Sequence, residues 1–194
     1  MEFCFEITSN SPFKRGRVLA TLPCKFILLL VVSLFLLSTN ILKAQYTYAE
    51  IGLTGLTCSQ CSRSVEMSLR KKLKFVDSVE MELVKTVGRI TFKPNQKVEI
   101  DKVAKAVIDA GFSLQFLKAE LDFSTITLNG NCFIFEKANY QLVGNDGKAI
   151  SKKKLISFLG KNYLSPKDWK TAQKSLKQTC GKANEKIYFI QLEQ

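Results

Sequence analysis

The 194-residue sequence contains no histidine. That absence removes the commonest general base, the Ser-His and Cys-His nucleophile pairs and the mixed Cys/His zinc sites. Any metal site therefore has to be built from Cys, carboxylates, Met or backbone, and the protein is expected not to be an enzyme. An uninterrupted apolar run of membrane-spanning length, about 20 residues, is also missing; the longest covers residues 26–37. There is no helix-turn-helix pattern and no basic face interleaved with aromatics. The formal net charge of +12, with one dense run at Lys152-Lys153-Lys154, therefore reads as a solvated basic surface, and no nucleic-acid partner is expected.

What is present begins with a leader. Lys14, Arg15, Arg17 and Lys25 precede the apolar run, and Ala44 suits the position before a cut, which makes residues 1–45 a secretory signal. Leu42 is bulky for such a site, and the alternative is retention of residues 26–42 as an N-terminal membrane anchor. Either way the remainder is expected outside the cytoplasm, in the periplasm or cell envelope, with the N-terminal segment as its route to a membrane. Cys4 and Cys24 leave with a cleaved leader. Cys58, Cys61, Cys132 and Cys180 remain, and an even number in an exported chain permits disulfides.

The stretch Gly55-Leu56-Thr57-Cys58-Ser59-Gln60-Cys61 places two cysteines three apart where a helix begins. Before it, residues 46–53 read as a strand. After it, Val65, Leu69 and Leu73 repeat at helical spacing, so a helix is expected over 59–72 with Cys61 in its first turn and Cys58 just outside. Alternation predicts strands over 76–83 and 88–93, joined around Lys85-Thr86. A second helix is expected over 101–110, with Asp101 as N-cap, Val103, Ala106, Val107 and Ala110 inward, and Gly111 ending it. A strand over 112–121 closes the set. Strand, helix, strand, strand, helix, strand is the ferredoxin-like order, an α+β fold.

The cysteine motif opening a helix after strand one, with Asp109-Ala110-Gly111-Phe112 ending the second helix, resembles the heavy-metal-associated domain of copper chaperones, copper-pumping ATPase N-termini and the periplasmic mercury-binding protein. The resemblance covers roughly residues 47–120, within a domain expected over 46–121. It implies that Cys58 and Cys61 bind the metal, that Leu56, Thr57 and Ser59 line the site, and that Phe112 caps it from the side. The family usually has Met where this chain has Leu56, a residue that packs under the loop and does not ligate.

The chemistry fits. A free thiol near pKa ~8.5 is mostly protonated at neutral pH, and a helix N-terminus lowers that value; Arg63 adds a nearby positive charge. Two soft thiolates without imidazole favour Cu(I), with Hg(II) and Cd(II) as heavier alternatives. Zn(II) would need further ligands from water, a carboxylate or a second molecule. An open two-ligand site suits hand-over to a partner such as a metal-transporting membrane protein. The leading expectation is a cell-envelope carrier or buffer of a thiophilic ion that transfers it by ligand exchange. Two alternatives stay open: a scaffold module for a membrane transporter or efflux complex, and an exported thiol-disulfide protein. The motif lacks the Trp before it and the Gly-Pro within it that mark thioredoxins.

Residues 122–194 are expected to form a small β-rich domain with one helix, an open barrel being one arrangement; they resemble no family, and their function is not readable from these residues. Its predicted parts are a strand over 123–128, a turn at Asn129-Gly130-Asn131, a hairpin of 132–136 and 140–143 closed by residues 144–147, and a strand over 151–159. A helix starting at Ser165-Pro166-Lys167-Asp168, with Trp169, Ala172 and Leu176 inward, runs to Gly181, and a final strand covers 186–192. Three readings of Cys132 and Cys180 remain: a disulfide, part of a metal site, or two buried thiols.

Overall fold

The alternating apolar residues of both halves line up on one sheet. The computed structural model describes residues 46–144, 150, 152–182 and 185–193, all within one compact unit, Leu42–Gln194. The leader expected over 1–45, with Cys4 and Cys24, lies outside the described residues, as do residues 145–147 of the expected closing turn. In chain order the elements are β1 (Tyr46–Thr54), α1 (Ser59–Lys72), β2 (Val76–Glu82), β3 (Val87–Phe92), α2 (Ile100–Asp109), β4 (Ser113–Asp122), β5 (Cys132–Phe135), β6 (Ala138–Leu142), β7 (Lys153–Leu159), α3 (Pro166–Ala172) and β8 (Ile187–Leu192). The first six follow the expected ferredoxin-like order. Among the described residues no helix is long and apolar enough to cross a membrane.

The sheet has eight strands in the order β2-β3-β1-β4-β7-β8-β6-β5. Every neighbour is antiparallel except β6 and β8, which run parallel. Ala49, Ala119 and Ile156 are successive cross-strand partners, as are Phe158, Ile190 and Leu142, and all six are buried. Residues directly opposite share a face, so one apolar face crosses β4 into β7 without a break. Tyr46 joins that face because β1 carries one extra residue between Tyr46 and Ala49, and such a bulge resets the alternation. The expected strand sets, 46–121 and 122–194, thus contribute to a single sheet with a single core. It is an open sheet with edges at β2 and β5, where a barrel was one expectation.

Over β1 to β4, α1 buries Ser62, Val65 and Leu69, and α2 buries Val103, Ala104, Ala106 and Val107. Ser68 Oγ donates to the Ala106 carbonyl at 2.8 Å, and Lys72 pairs with Asp109 at 3.1 Å, tying the helices together. Arg70, Lys71 and Lys72 occupy the last turn of α1, where positive charge faces the negative end of the helix.

Four local expectations change. The helix expected from an Asp101 cap begins one residue earlier, with Glu99 at the N-cap position making no side-chain cap bond; the Asp101 carboxylate is bonded elsewhere. No strand forms over 123–128: Asp122 accepts from the Ser124 N–H at 2.9 Å, and Ile126 N–H donates to the Phe123 carbonyl at 3.1 Å, turning the chain off the sheet. The hairpin turns at Glu136 and Lys137, with φ of 48° and 66°, one position before the expected place and in the geometry that suits strand twist. The Ser165 N-cap and Pro166 start α3 as expected, Ser165 Oγ accepting from the Asp168 N–H at 3.1 Å, but α3 ends at Ala172 and buries none of its residues. Trp169, Ala172 and Leu176 are only half-buried. The chain beyond α3 is held by a side chain of the sheet. Gln141, 7% exposed, donates to the Lys177 carbonyl at 2.8 Å and accepts from the N–H groups of Thr179 and Cys180 at 2.9 and 3.3 Å.

Candidate metal centre

β1 leaves the sheet at Gly55, whose φ of 81° is a conformation that only glycine adopts without strain. Leu56, 2% exposed, pins the loop to the core beneath it, the place the family resemblance assigns to that residue. Cys58 follows as the N-cap of α1 in an extended conformation, φ −144° and ψ 158°. Its Sγ accepts from the Cys61 N–H at 3.2 Å, and its carbonyl accepts from the Ser62 N–H at 3.2 Å. A sulfur therefore does what Ser or Asp does at an ordinary N-cap. No acidic residue lies in the first turn of α1, so the partial positive charge of the helix start is left to the sulfurs. Cys58, Thr57, Ser59 and Arg63 are exposed, while Cys61 is half-buried against the core. In this structure Cys58 and Cys61 are joined as a disulfide, with their Cα atoms 5.2 Å apart.

Phe112 reaches the same end of the sheet by a different route. The α2 terminus closes with the Gly111 N–H on the Ile108 carbonyl at 2.9 Å and the Phe112 N–H on the Val107 carbonyl at 3.2 Å, Gly111 having φ 89°. This paired pattern is a Schellman motif, and it fixes Phe112 relative to the last turn of α2. Ser113, the next residue, pairs with Thr54. Gly55 and Phe112 thus flank paired residues. Phe112 is half-buried and packs against the core, as Cys61 does. The β2–β3 turn arrives there too, because the Leu53 N–H donates to the Thr86 carbonyl at 2.9 Å; it presents Val84, 94% exposed. Val84 was not among the expected site residues, and the turn that carries it is placed by the contact of Thr86 with Leu53, a pairing that no local pattern shows. Among the described residues no group of three or more Cys, Asp or Glu gathers as a metal cluster.

The family model for the heavy-metal-associated domain matches residues 52–113. Those residues form a heavy-metal-associated domain. The chain is 34% identical over 77 residues to the copper-transporting ATPase RAN1 of Arabidopsis thaliana, a match covering 40% of this chain and 8% of the ATPase. It is 33% identical over 90 residues to the cation-transporting ATPase HMA5 of Oryza sativa subsp. japonica, covering 45% and 9%. The match therefore spans less than a tenth of either relative. Among solved structures, the copper binding domain from HMA7, a P-type ATPase, shares 33% identity over 34% of this chain and 86% of that domain, with a TM-score of 0.31. The CopZ metallochaperone shares 20% identity over 35% and 98%, with a TM-score of 0.32.

Two features bind the heavy-metal-associated domain to the rest of the sheet. Asp101, in the first turn of α2, accepts from Tyr163 on one carboxylate oxygen and from Tyr188 and Lys186 on the other. Burial alone would raise the Asp101 carboxyl, but these three donors outweigh it and hold it below the usual carboxylate range. Tyr188 stacks on Tyr140 with ring centroids 5.0 Å apart, and the buried Tyr46 hydroxyl donates to that of Tyr140 at 3.0 Å. Far from the thiol pair, Cys132 and Cys180 are disulfide-bonded, Cα atoms 5.6 Å apart. That bond lies beside the Gln141 contacts and secures residues 177–180 against β5 and β6.

Proposed function

We propose that the protein carries or buffers Cu(I), or a similar thiophilic ion, on the reduced Cys58–Cys61 pair and passes it by thiolate exchange to a metal-transporting membrane protein, without catalysing a reaction. The observation that carries this reading is the placement of both sulfurs at the start of α1, one as N-cap and one in the first turn, with no acid beside them. Such a site stabilises thiolates. It leaves an ion with two protein ligands and an open side, through which a partner's cysteine attacks before the first thiolate departs. The similarity to the copper-transporting ATPase and to the copper binding domain of a P-type ATPase supports copper as cargo and a transporter as partner.

We place the protein outside the cytoplasm, in the cell envelope. The Cys132–Cys180 disulfide supports this, since such bonds persist in oxidising compartments. There the thiol pair has to be reduced or metal-loaded to act. Anaerobic Cu(I) titration of protein with the pair reduced tests the reading: one ion should bind per chain, and Cys58→Ser with Cys61→Ser should abolish it. Equal affinity in that double variant would place the site elsewhere.

The disulfide state of the pair favours a second reading, a thiol-disulfide protein. Turnover of a dithiol substrate by the metal-free protein would support it, and its absence would remove it.

A further inference from the structure

We infer that Asp101 is a positioning residue for the thiol pair, acting at a distance through α2 and Phe112; this rests on the metal-site reading above. The helix is ten residues long, about 15 Å, and its two ends have different attachments. At its start, Asp101 is held by Tyr163, Tyr188 and Lys186. At its end, the Schellman motif sets Phe112 at the edge where Gly55 opens the cysteine loop.

The clamp exceeds what a helix start requires. An exposed acid in the first turn already complements the dipole, whereas Asp101 draws three donors from chain segments 62 to 87 residues away. Those donors stand on a packed aromatic platform: Tyr188 stacks on Tyr140, and Phe158 lies against both Tyr163 and Tyr188. The buried stripe of α2 is built from Ile100, Val103, Ala104, Ala106 and Val107. Beyond Ile100 the stripe is small and its ridges shallow, so packing along the rest of the helix resists axial sliding weakly and the polar clamp at the helix start sets the axial position. The bonds from Ser68 to Ala106 and from Lys72 to Asp109 make α1, and with it Cys61, follow α2. Residues after β4 thereby set the geometry on both sides of the metal site.

The test is a double-mutant cycle in the full chain. With Cys58 and Cys61 reduced, the rate of iodoacetamide modification at each is followed by mass spectrometry, and in parallel the rate of Cu(I) removal by a chelator. Wild type, Asp101→Asn, Phe112→Ala and the combination are compared well below each melting temperature. Asp101→Asn should raise both rates about three- to tenfold, the range of moderate coupling, and should add nothing in the Phe112→Ala background. Unchanged rates, or equal increments in both backgrounds, would overturn the inference and leave Asp101 a plain structural tie. Tyr163→Phe with Tyr188→Phe removes two donors while keeping the carboxylate, and should reproduce the effect if Asp101→Asn folds poorly. Should Cu(I) fail to bind at all, the metal-site reading falls, and the alkylation rates still decide the role of Asp101.

Discussion

Replacing Cys132 and Cys180 together by alanine should destabilise the protein by about 4 kcal/mol, and nearly all of that loss should arise in the unfolded chain. The two residues lie 48 apart in sequence. Closing a loop of that length removes about 14 cal/mol/K of chain entropy, or about 4 kcal/mol at 25 °C. On the folded side little changes, because Gln141 keeps its three bonds to residues 177, 179 and 180. For a described body of this size the loss corresponds to a fall of about 8–16 °C in melting temperature. Urea titration of the wild type and the double variant, read by far-ultraviolet circular dichroism, measures it. The slope m should rise as well, since the freed chain exposes more surface on unfolding. A loss below about 1 kcal/mol with m unchanged would refute the reasoning. The same relation gives only roughly 1–2 kcal/mol for Cys58–Cys61, whose separation is three residues. Reductant should therefore open the thiol pair while the chain stays folded.

Tyr46→Phe should cost about 1–3 kcal/mol, because it leaves the buried Tyr140 hydroxyl without its partner, whereas Tyr46→Phe with Tyr140→Phe should cost less than either single change; thermal melts of the three variants separate these outcomes. Because the folded Asp101 carboxyl lies below its unfolded value of about 3.9, its contribution is present above that pH and lost as pH falls through the folded value. Asp101→Asn should accordingly flatten the acid limb of a stability profile. Tyr188 is pushed up to about 12, by burial first and then by its bond to Asp101, so its contribution is full below pH ~10 and is lost as pH rises through about 12; Tyr188→Phe should lose that alkaline sensitivity. Gly55→Ala meets no steric contact, since nothing lies within 4 Å of the added carbon. Its cost of about 1 kcal/mol should come from the positive φ alone, measurable by urea titration.

Residues 46–122 were legible because their signals are local. Val65 and Leu69 repeat at helical spacing, Ile90 and Phe92 alternate, and Gly55 and Gly111 stand where the chain needs a positive φ. The thiol pair was legible for the same reason, its ligand candidates lying three residues apart. Asp101 was misread because an acid in the first helical turn and an acid at the N-cap look alike in sequence, and what separates them is Tyr163 and Tyr188, 62 and 87 residues away. The strand expected over 123–128 rested on Ile126 and Leu128, and the Asp122–Ser124 turn overrode it. The helix expected to reach Gly181 stopped at Ala172, and farther along the chain Gln141 takes the backbone groups of residues 177, 179 and 180. Continuity between β4 and β7 is likewise a long-range pairing, invisible to any periodicity.

The place of β8 in the sheet has a consequence for the order of folding. Among the described residues it is the last strand in chain order, yet it lies between β7 and β6, and the β5–β6 hairpin has no other strand neighbour there. Before β8 is in place, β1 to β4 and β7 are able to pair, but the hairpin has nothing to dock on. A two-stranded hairpin is marginal by itself. Until β8 pairs, Phe133, Phe135 and Tyr140 lack the strand that joins them to the rest of the core, so docking of β8 is the folding step at which exposed apolar surface persists longest.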